Sequence, residues 1–259
     1  MGLIHTVTCR PLSEFVDFLW LSERYVQPHA AERVLPTGCM NLVFDLDEHG
    51  QAGNTVSGAC TRSFVLNTSR PLSLVGVRFK PGGGFPFFGL PAGELQDLSV
   101  SLETFWGQKA ADLREQLLEA ANPAARLRIL EDYLLQRLHR GASRHPAVRF
   151  ALDAFQNPNS ASSVACVVAR TGLTSRRFIA SFRDEVGLTP KVFCRLSRFR
   201  HVIGTLESAP AVDWPAIALA CGYFDQAHFI HDFRAFAGVS PTAYLRHRTT
   251  SVNHVRVAE

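Results

Sequence analysis

Ser163-Val-Ala-Cys-Val-Val-Ala-Arg-Thr-Gly-Leu-Thr-Ser-Arg-Arg-Phe-Ile-Ala-Ser-Phe-Arg-Asp-Glu-Val-Gly187 is the stretch whose reading decides the fold. It opens on a short apolar segment in which Ala165 and Ala169 are four apart, so a helix would set both on one face. Small residues there would let a second helix cross closely. Gly172 tolerates the positive φ that ends a helix. Thr174 offers an N-cap hydroxyl to the next helix, whose Phe178 and Phe182 stand i,i+4 on a buried face. Gly187 ends that helix. Thr189-Pro190 begins another, with a capping hydroxyl and Pro at the first helical position. Two short helices about a tight turn, the second polar outside, predict a helix-turn-helix.

The stretch has a weak second copy. Adding 51 to each number brings Ala165 onto Ala216, Ala169 onto Ala220, Phe178 onto Phe229, Phe182 onto Phe233 and Gly187 onto Gly238. In that copy Asp213 caps a helix through Ile217 and Leu219, Cys221-Gly222 breaks it, and Asp225 caps the next. Ser240-Pro241 starts a terminal helix carrying Tyr244. Val192 to Leu206 has helical periodicity and is expected to join the units, with Arg195, Arg198 and Arg200 exposed. A repeated helical unit that keeps its core presents two similar surfaces to a periodic partner, of which duplex DNA is the commonest. With each Phe pair inward, the first outer face carries Arg176, Ala180 and Arg183, with Ile179 at its edge. The second carries Ala227, His231, Arg234 and Ile230, with Gln226 near the helix start. Such side chains suit a major groove: Arg pairs with guanine, Gln with adenine, and small apolar groups touch the thymine methyl.

These residues resemble the C-terminal domain of the AraC/XylS family of bacterial transcription regulators, over roughly residues 145–248. The likeness is carried by Gly172-Leu-Thr-Ser-Arg-Arg-Phe178, Phe182-Arg-Asp-Glu-Val-Gly-Leu-Thr-Pro190, Gly222-Tyr-Phe-Asp-Gln-Ala-His-Phe-Ile-His-Asp-Phe-Arg234 and Gly238-Val-Ser-Pro-Thr-Ala-Tyr244. The resemblance implies two helix-turn-helix units, held by a linking helix, entering successive major grooves about one DNA turn apart. It places Arg176, Ile179 and Ala180 where the first recognition helix touches bases, and Gln226, Ala227, Ile230 and His231 where the second does. Arg183 and Arg234 fall at backbone-side positions, where phosphate contacts set register. Thr174, Ser175 and Asp225, at the helix starts, complete the implied DNA-binding set. Many relatives carry a basic or amide side chain where this chain has Ala180. The first unit is therefore expected to read methyls and shape, and the second to supply more polar readout.

Composition agrees with two domains. The 259 residues are 46% hydrophobic, enough for two modest cores. From residue 143 onward 14 Arg/Lys face 8 Asp/Glu, whereas residues 1–142 hold 13 against 15. A mildly acidic front and a basic back fit a sensing or assembly domain followed by a nucleic-acid domain. Cys9, Cys39, Cys60, Cys166, Cys194 and Cys221 form no CxxC pair and read as reduced thiols of a cytoplasmic protein. No transmembrane run or signal peptide appears, so no membrane partner is expected. Met1-Gly2-Leu-Ile-His-Thr6 fits the N-myristoylation pattern, but a bacterial regulator would not meet the transferase.

The front half reads as β-rich over residues 1–90. Asn41-Leu-Val-Phe-Asp-Leu46, Thr55-Val-Ser-Gly-Ala59 and Leu74-Val-Gly-Val-Arg-Phe79 are β-branched and aromatic runs bounded by turn residues. Glu14 to Tyr25 instead has helical spacing, through Phe15, Phe18 and Leu19. Leu35-Pro-Thr-Gly-Cys-Met-Asn-Leu-Val-Phe44 and Arg78-Phe-Lys-Pro-Gly-Gly-Gly84 resemble the cupin-like barrel of one AraC-type subgroup. From Leu102 the pattern turns helical, with Ala110–Ala120 and Pro123–His139 as two antiparallel helices. The family uses such helices to dimerise; packing on their own barrel is the equal alternative. His139 to Pro146 reads as the linker.

The expected architecture is thus α+β and two-domain. A β-rich, cupin-like barrel with trailing helices at about 102–139 occupies residues 1–140, and an all-α double helix-turn-helix occupies residues 145–250. No enzyme chemistry stands out. Lys80-Pro-Gly-Gly-Gly84 lacks the phosphate-loop pattern, and His5, His29 and His49 are scattered. His228 and His231 are i,i+3, but they lie on the expected recognition helix, where DNA-facing polar residues are the better reading. No cofactor and no metal are expected. The partners expected are double-stranded DNA, a small-molecule effector in a pocket inside the front barrel, RNA polymerase and a second copy. A cupin-type metal-dependent enzyme with a DNA-tethering tail, or an architectural protein, are the alternatives.

Overall fold

The computed structural model describes residues 4–47, 53–138, 143–156, 163–208, 212–249, 251 and 253–257. Met1, Gly2, His49 and residues 139–142 of the expected linker therefore lie outside the described residues. The front half is built from β1 (Ile4–Thr6), β2 (Val16–Tyr25), β3 (Ala31–Val34), β4 (Asn41–Asp45), β5 (Asn54–Ser57), β6 (Phe64–Asn67), β7 (Leu72–Phe79) and β8 (Ser99–Ser101). Six of these form one antiparallel sheet in the order β1-β2-β7-β4-β5-β8. Alternation puts Leu42 and Phe44 of β4 on the buried face beside Val75 and Val77 of β7. Leu12, Met40, Val56, Phe79 and Phe87 fill the remaining space. The interior of this half is filled by packed apolar side chains.

Residues 14–25, expected as a helix, are strand β2 with its 3-10 lead-in Leu12–Glu14. The cause is a β-bulge. Val16 pairs with Phe79 and Phe18 with Arg78, so two residues on β2 oppose one step on β7. The slip separates the buried residues Val16, Leu19 and Leu21 by three and then two positions, which imitates a helical period.

Behind the sheet lie α1 (Glu103–Trp106), α2 (Gln108–Glu119) and α3 (Pro123–Arg137). The Asn122 side chain caps α3 by accepting from Ala125 N at 2.9 Å. Leu113 and Leu117 of α2, with Leu127, Leu130 and Leu134 of α3, join the sheet core. Arg126 Nη1 meets Glu23 Oε1 of β2 at 2.6 Å, tying α3 to the strand. These helices pack on their own sheet.

The helical half comprises α4 (Pro146–Gln156), α5 (Val164–Thr171), α6 (Ser175–Val186), α7 (Pro190–Ser208), α8 (Trp214–Ala220), α9 (Gln226–Ala237) and α10 (Pro241–His247). Phe178, Phe182, Phe229 and Phe233 are fully buried in its core. The first helix of each unit turns differently from expectation. Ala165, Ala169, Ala216 and Ala220 are exposed, and Val167, Val168, Ile217 and Ala218 face inward. In the first unit the larger Val167 and Val168 take the core, which removes more surface from water than the alanines would; in the second Ile217 does so beside Ala218, and Leu219 is left exposed. The register explains the error. Caps Ser163 and Asp213 differ by 50 positions, but caps Thr174 and Asp225 differ by 51. One residue is inserted in the second turn after Gly222: Phe224, which is 91% exposed.

A last strand, β9 (His254–Arg256), was not legible in the sequence. It returns to the front half and pairs with β3, completing a second sheet in the order β6-β3-β9. The seam between the halves is close throughout. Arg144 donates to Pro81 O and Glu14 O at 2.9 and 3.0 Å, and Ser63 Oγ donates to Ala237 O at 3.1 Å. Gly187 ends α6 at φ 89°, and a Cβ there would stand 3.2 Å from Ala59 Cβ and from Ala92 O.

Candidate nucleic-acid interface

Each helix of the two units is started by a side chain that the sequence supplies locally. Ser163 Oγ accepts from Cys166 N at 3.2 Å and Thr174 Oγ1 from Arg177 N at 3.4 Å. Asp213 Oδ1 accepts from Ala216 N at 3.2 Å and Asp225 Oδ1 from His228 N at 2.7 Å. Each satisfies a backbone donor that the first helical turn leaves open. Gly172 and Gly222 stand at φ 71° and 77° where α5 and α8 end, a conformation that costs other residues more.

On α6 the residues Ser175, Arg176, Ile179 and Ala180 are exposed, with Ile179 41% so despite its size. On α9 Gln226, Ala227, His231 and Arg234 are exposed. Among the described residues, the side chains of Arg176, Gln226, His231 and Arg234 make no hydrogen bond or ion pair, so their donors are free for a partner. Ile230 is half-buried against the helical core. Thr174 and Asp225 serve as caps. Arg183 leans the other way: its Nη2 donates to Gly93 O at 3.3 Å, across the seam. The front half therefore meets the last turn of α6 and leaves its first two turns open.

The linking helix is one rod, but its arginines differ from expectation. Arg195 and Arg198 are half-buried. Arg195 holds Asp232 of α9 through Nη2 at 2.6 Å and Nε at 3.2 Å. Arg198 lies 5.4 Å over the Tyr223 ring, with its Nη2 4.0 Å from Asp232. Asp232 is 1% exposed, so its charge needs these partners. Its hydrogen bond holds the proton of Arg195 more firmly than usual. Arg200 is exposed and donates to Thr37 O at 3.0 Å.

Beside this pair lies an open cleft of about 560 Å³, lined by Lys191, Arg195 and Arg198 of α7 and by His228, His231 and Asp232 of α9. The sequence reading missed Lys191 and His228 as its members. The signal was present: Lys191, Arg195 and Arg198 recur at i,i+4 and i,i+3, which aligns them on one helix face. Among the described residues no group of three or more His, Cys, Asp or Glu could hold a metal ion. No helix among them is long and apolar enough to cross a membrane.

Residues 167–247 match the helix-turn-helix domain family. The chain carries an AraC-type helix-turn-helix DNA-binding domain. This regulator of transcription joins that domain to a β-rich front, whose residues 6–101 match a domain of unknown function (DUF6597). No curated protein matches the sequence. Among solved structures, a probable AraC family transcriptional regulator from Rhodopseudomonas palustris is 28% identical, covers 39% of this chain and 96% of its own, and has a TM-score of 0.35. The C-terminal domain of AraT, a response regulator from Geobacillus stearothermophilus, is 24% identical over 42% and 92%, with a TM-score of 0.39. ToxT from Vibrio cholerae is 11% identical over 95% and 97%, with a TM-score of 0.43.

Proposed function

We propose that this regulator reads two successive major grooves on one side of the duplex, with α6 in one and α9 in the next. One observation carries the reading: two side-chain-capped helices, hung from the single rod α7, each present unpartnered polar donors beside small apolar groups. Arg176 on α6, and Gln226 and His231 on α9, supply base readout, with Ile179, Ala180 and Ala227 against thymine methyls. Arg234 and the cations of the cleft along α7 take phosphates and set the register. In this reading the Asp232–Arg195 pair fixes α9 on the rod, which sets the spacing between the two readers.

Residues 1–140 act as the modulating domain and residues 145–250 as the reader in this proposal. The regulator works in the cytoplasm, answers to a small molecule or to self-association through the front half, and engages RNA polymerase from its operator. It acts as a DNA reader and not as a catalyst.

Hydroxyl-radical footprinting on a site selected from random duplexes tests the groove reading. The expected result is two protected segments on one face of the duplex, about 10 base pairs apart centre to centre. A single protected segment, or uniform protection of any sequence, would refute it.

A further inference from the structure

A second cleft, of about 480 Å³, opens at the seam on the side of α10 and β9. Gln27 and His29 reach it from the front half, Arg246, His247 and Arg248 from the end of α10, and Arg256 from β9. Every residue lining it carries a hydrogen-bond donor, and none is acidic. Three arginines line the cleft with no acidic residue among its walls, so an anion placed there would gain their charge. Arg246 and Arg256 make no hydrogen bond or ion pair among the described residues, and His247 Nδ1 is buried without a partner.

The walls are built rather than loose. Arg248 Nη1 donates to Leu206 O at 2.8 Å, which anchors its head at the end of α7. The fully buried Glu32 holds His29 at 2.9 Å on one oxygen, and His254 and the Tyr25 hydroxyl at 2.7 Å on the other. Burial alone would raise the Glu32 pKa, but these three hydrogen bonds hold it below the usual carboxylate range. One charged carboxylate therefore sets both the His29 wall and the β9 strand that carries Arg256. The cleft, at about 480 Å³, has room for an anion larger than a bare inorganic ion. Guanidinium forks match the paired oxygens of phosphates and carboxylates.

We propose that this seam cleft is the effector site, and that it takes a small organic anion bearing a phosphate or paired carboxylates, held by both halves at once. The inference rests on the reading that the regulator answers to a small molecule. It departs from the sequence expectation of a pocket inside the front sheet.

Isothermal titration of the full-length protein with pyrophosphate and with citrate, at constant ionic strength and without DNA, tests it. Sodium chloride is the control. Saturable binding of at least one probe is expected, weakened about tenfold in Arg246→Gln and in Arg256→Gln. Both replaced side chains are exposed, and unchanged urea midpoints will show that the variants are folded. Absence of saturable binding by both probes, or binding unchanged in both variants, would overturn the proposal. Gel shifts in phosphate-free buffer should show wild-type DNA affinity in both variants. A uniform loss there would assign these cations to the DNA backbone and overturn it equally. A failed titration leaves the footprint standing, and a failed footprint leaves the titration standing, so the two readings fail separately.

Discussion

Replacing Asp232 with alanine should detach α9 from the rod that carries it. The carboxylate takes Arg195 Nη2 at 2.6 Å and Nε at 3.2 Å, while Arg198 at 4.0 Å and His228 at 3.7 Å stand further off. Hydrogen bonds to charged groups contribute roughly 1.5–3 kcal/mol each. The Arg195 side chain is 32% exposed and regains water once the carboxylate is gone, so the lower figure applies. Two such contacts give about 3 kcal/mol, and the distant partners add little. Native-state hydrogen exchange on the full chain is the assay, because it reads α9 separately from the front sheet. A loss of about 3 kcal/mol speeds exchange of the α9 amides on the order of a hundredfold. Amides of β4 and β7 serve as the internal control and should not move. The double variant Arg195→Met with Asp232→Ala should recover part of the loss, since it leaves no uncompensated cation. Acceleration below about fivefold across α9 would refute the assignment of this pair as the fastening of the second reader.

Other expectations follow from the same geometry. Phe182→Ala should destabilise the first unit by roughly 3–5 kcal/mol, since its fully buried ring touches Phe155, Phe178 and Phe193; urea unfolding reads the loss. Gln226→Ala and His231→Ala should each reduce discrimination at one base position by about tenfold in a selection experiment, and unchanged specificity in both would contradict the α9 groove assignment. Arg234→Ala should weaken all DNA sequences alike and lower the salt slope by about one in gel shifts; a sequence-selective loss would count against a phosphate role. Burial pushes Glu185 up to about 7, despite its hydrogen bond from His145 N and the nearby Arg144. A carboxyl whose folded value is raised binds its proton more tightly in the native state, so stability falls as pH rises from about 4.5 through about 7. Urea midpoints should therefore climb between pH 8 and pH 6, and Glu185→Gln should flatten that climb.

What was legible in the sequence was local. Caps at Thr174, Asp213, Asp225 and Ser240, and stops at Gly172, Gly187 and Gly238, depend on neighbours within four residues, and the structure has all of them. The Phe pairs were legible because burial at i,i+4 marks a helix face. What was hidden depended on partners far along the chain. The bulge in β2 shifts the phase of burial only because β7 lies beside it, and taken alone the run mimics a helix. A fixed offset of 51 could not register the inserted Phe224, so it aligned alanines that face water. Arg195 and Arg183 read as free surface charges because their acceptors, Asp232 and Gly93 O, lie 37 and 90 residues away.

Strand β9 has a mechanical consequence. Beside the side-chain contacts of the seam, the reader is joined to the front half by backbone pairing where β9 lies against β3. Large excursions must first peel this attachment, with its Glu32–His254 contact and the backbone pairing beside it. Reorientation of the twin helices is thereby coupled to whether one short ribbon stays zipped.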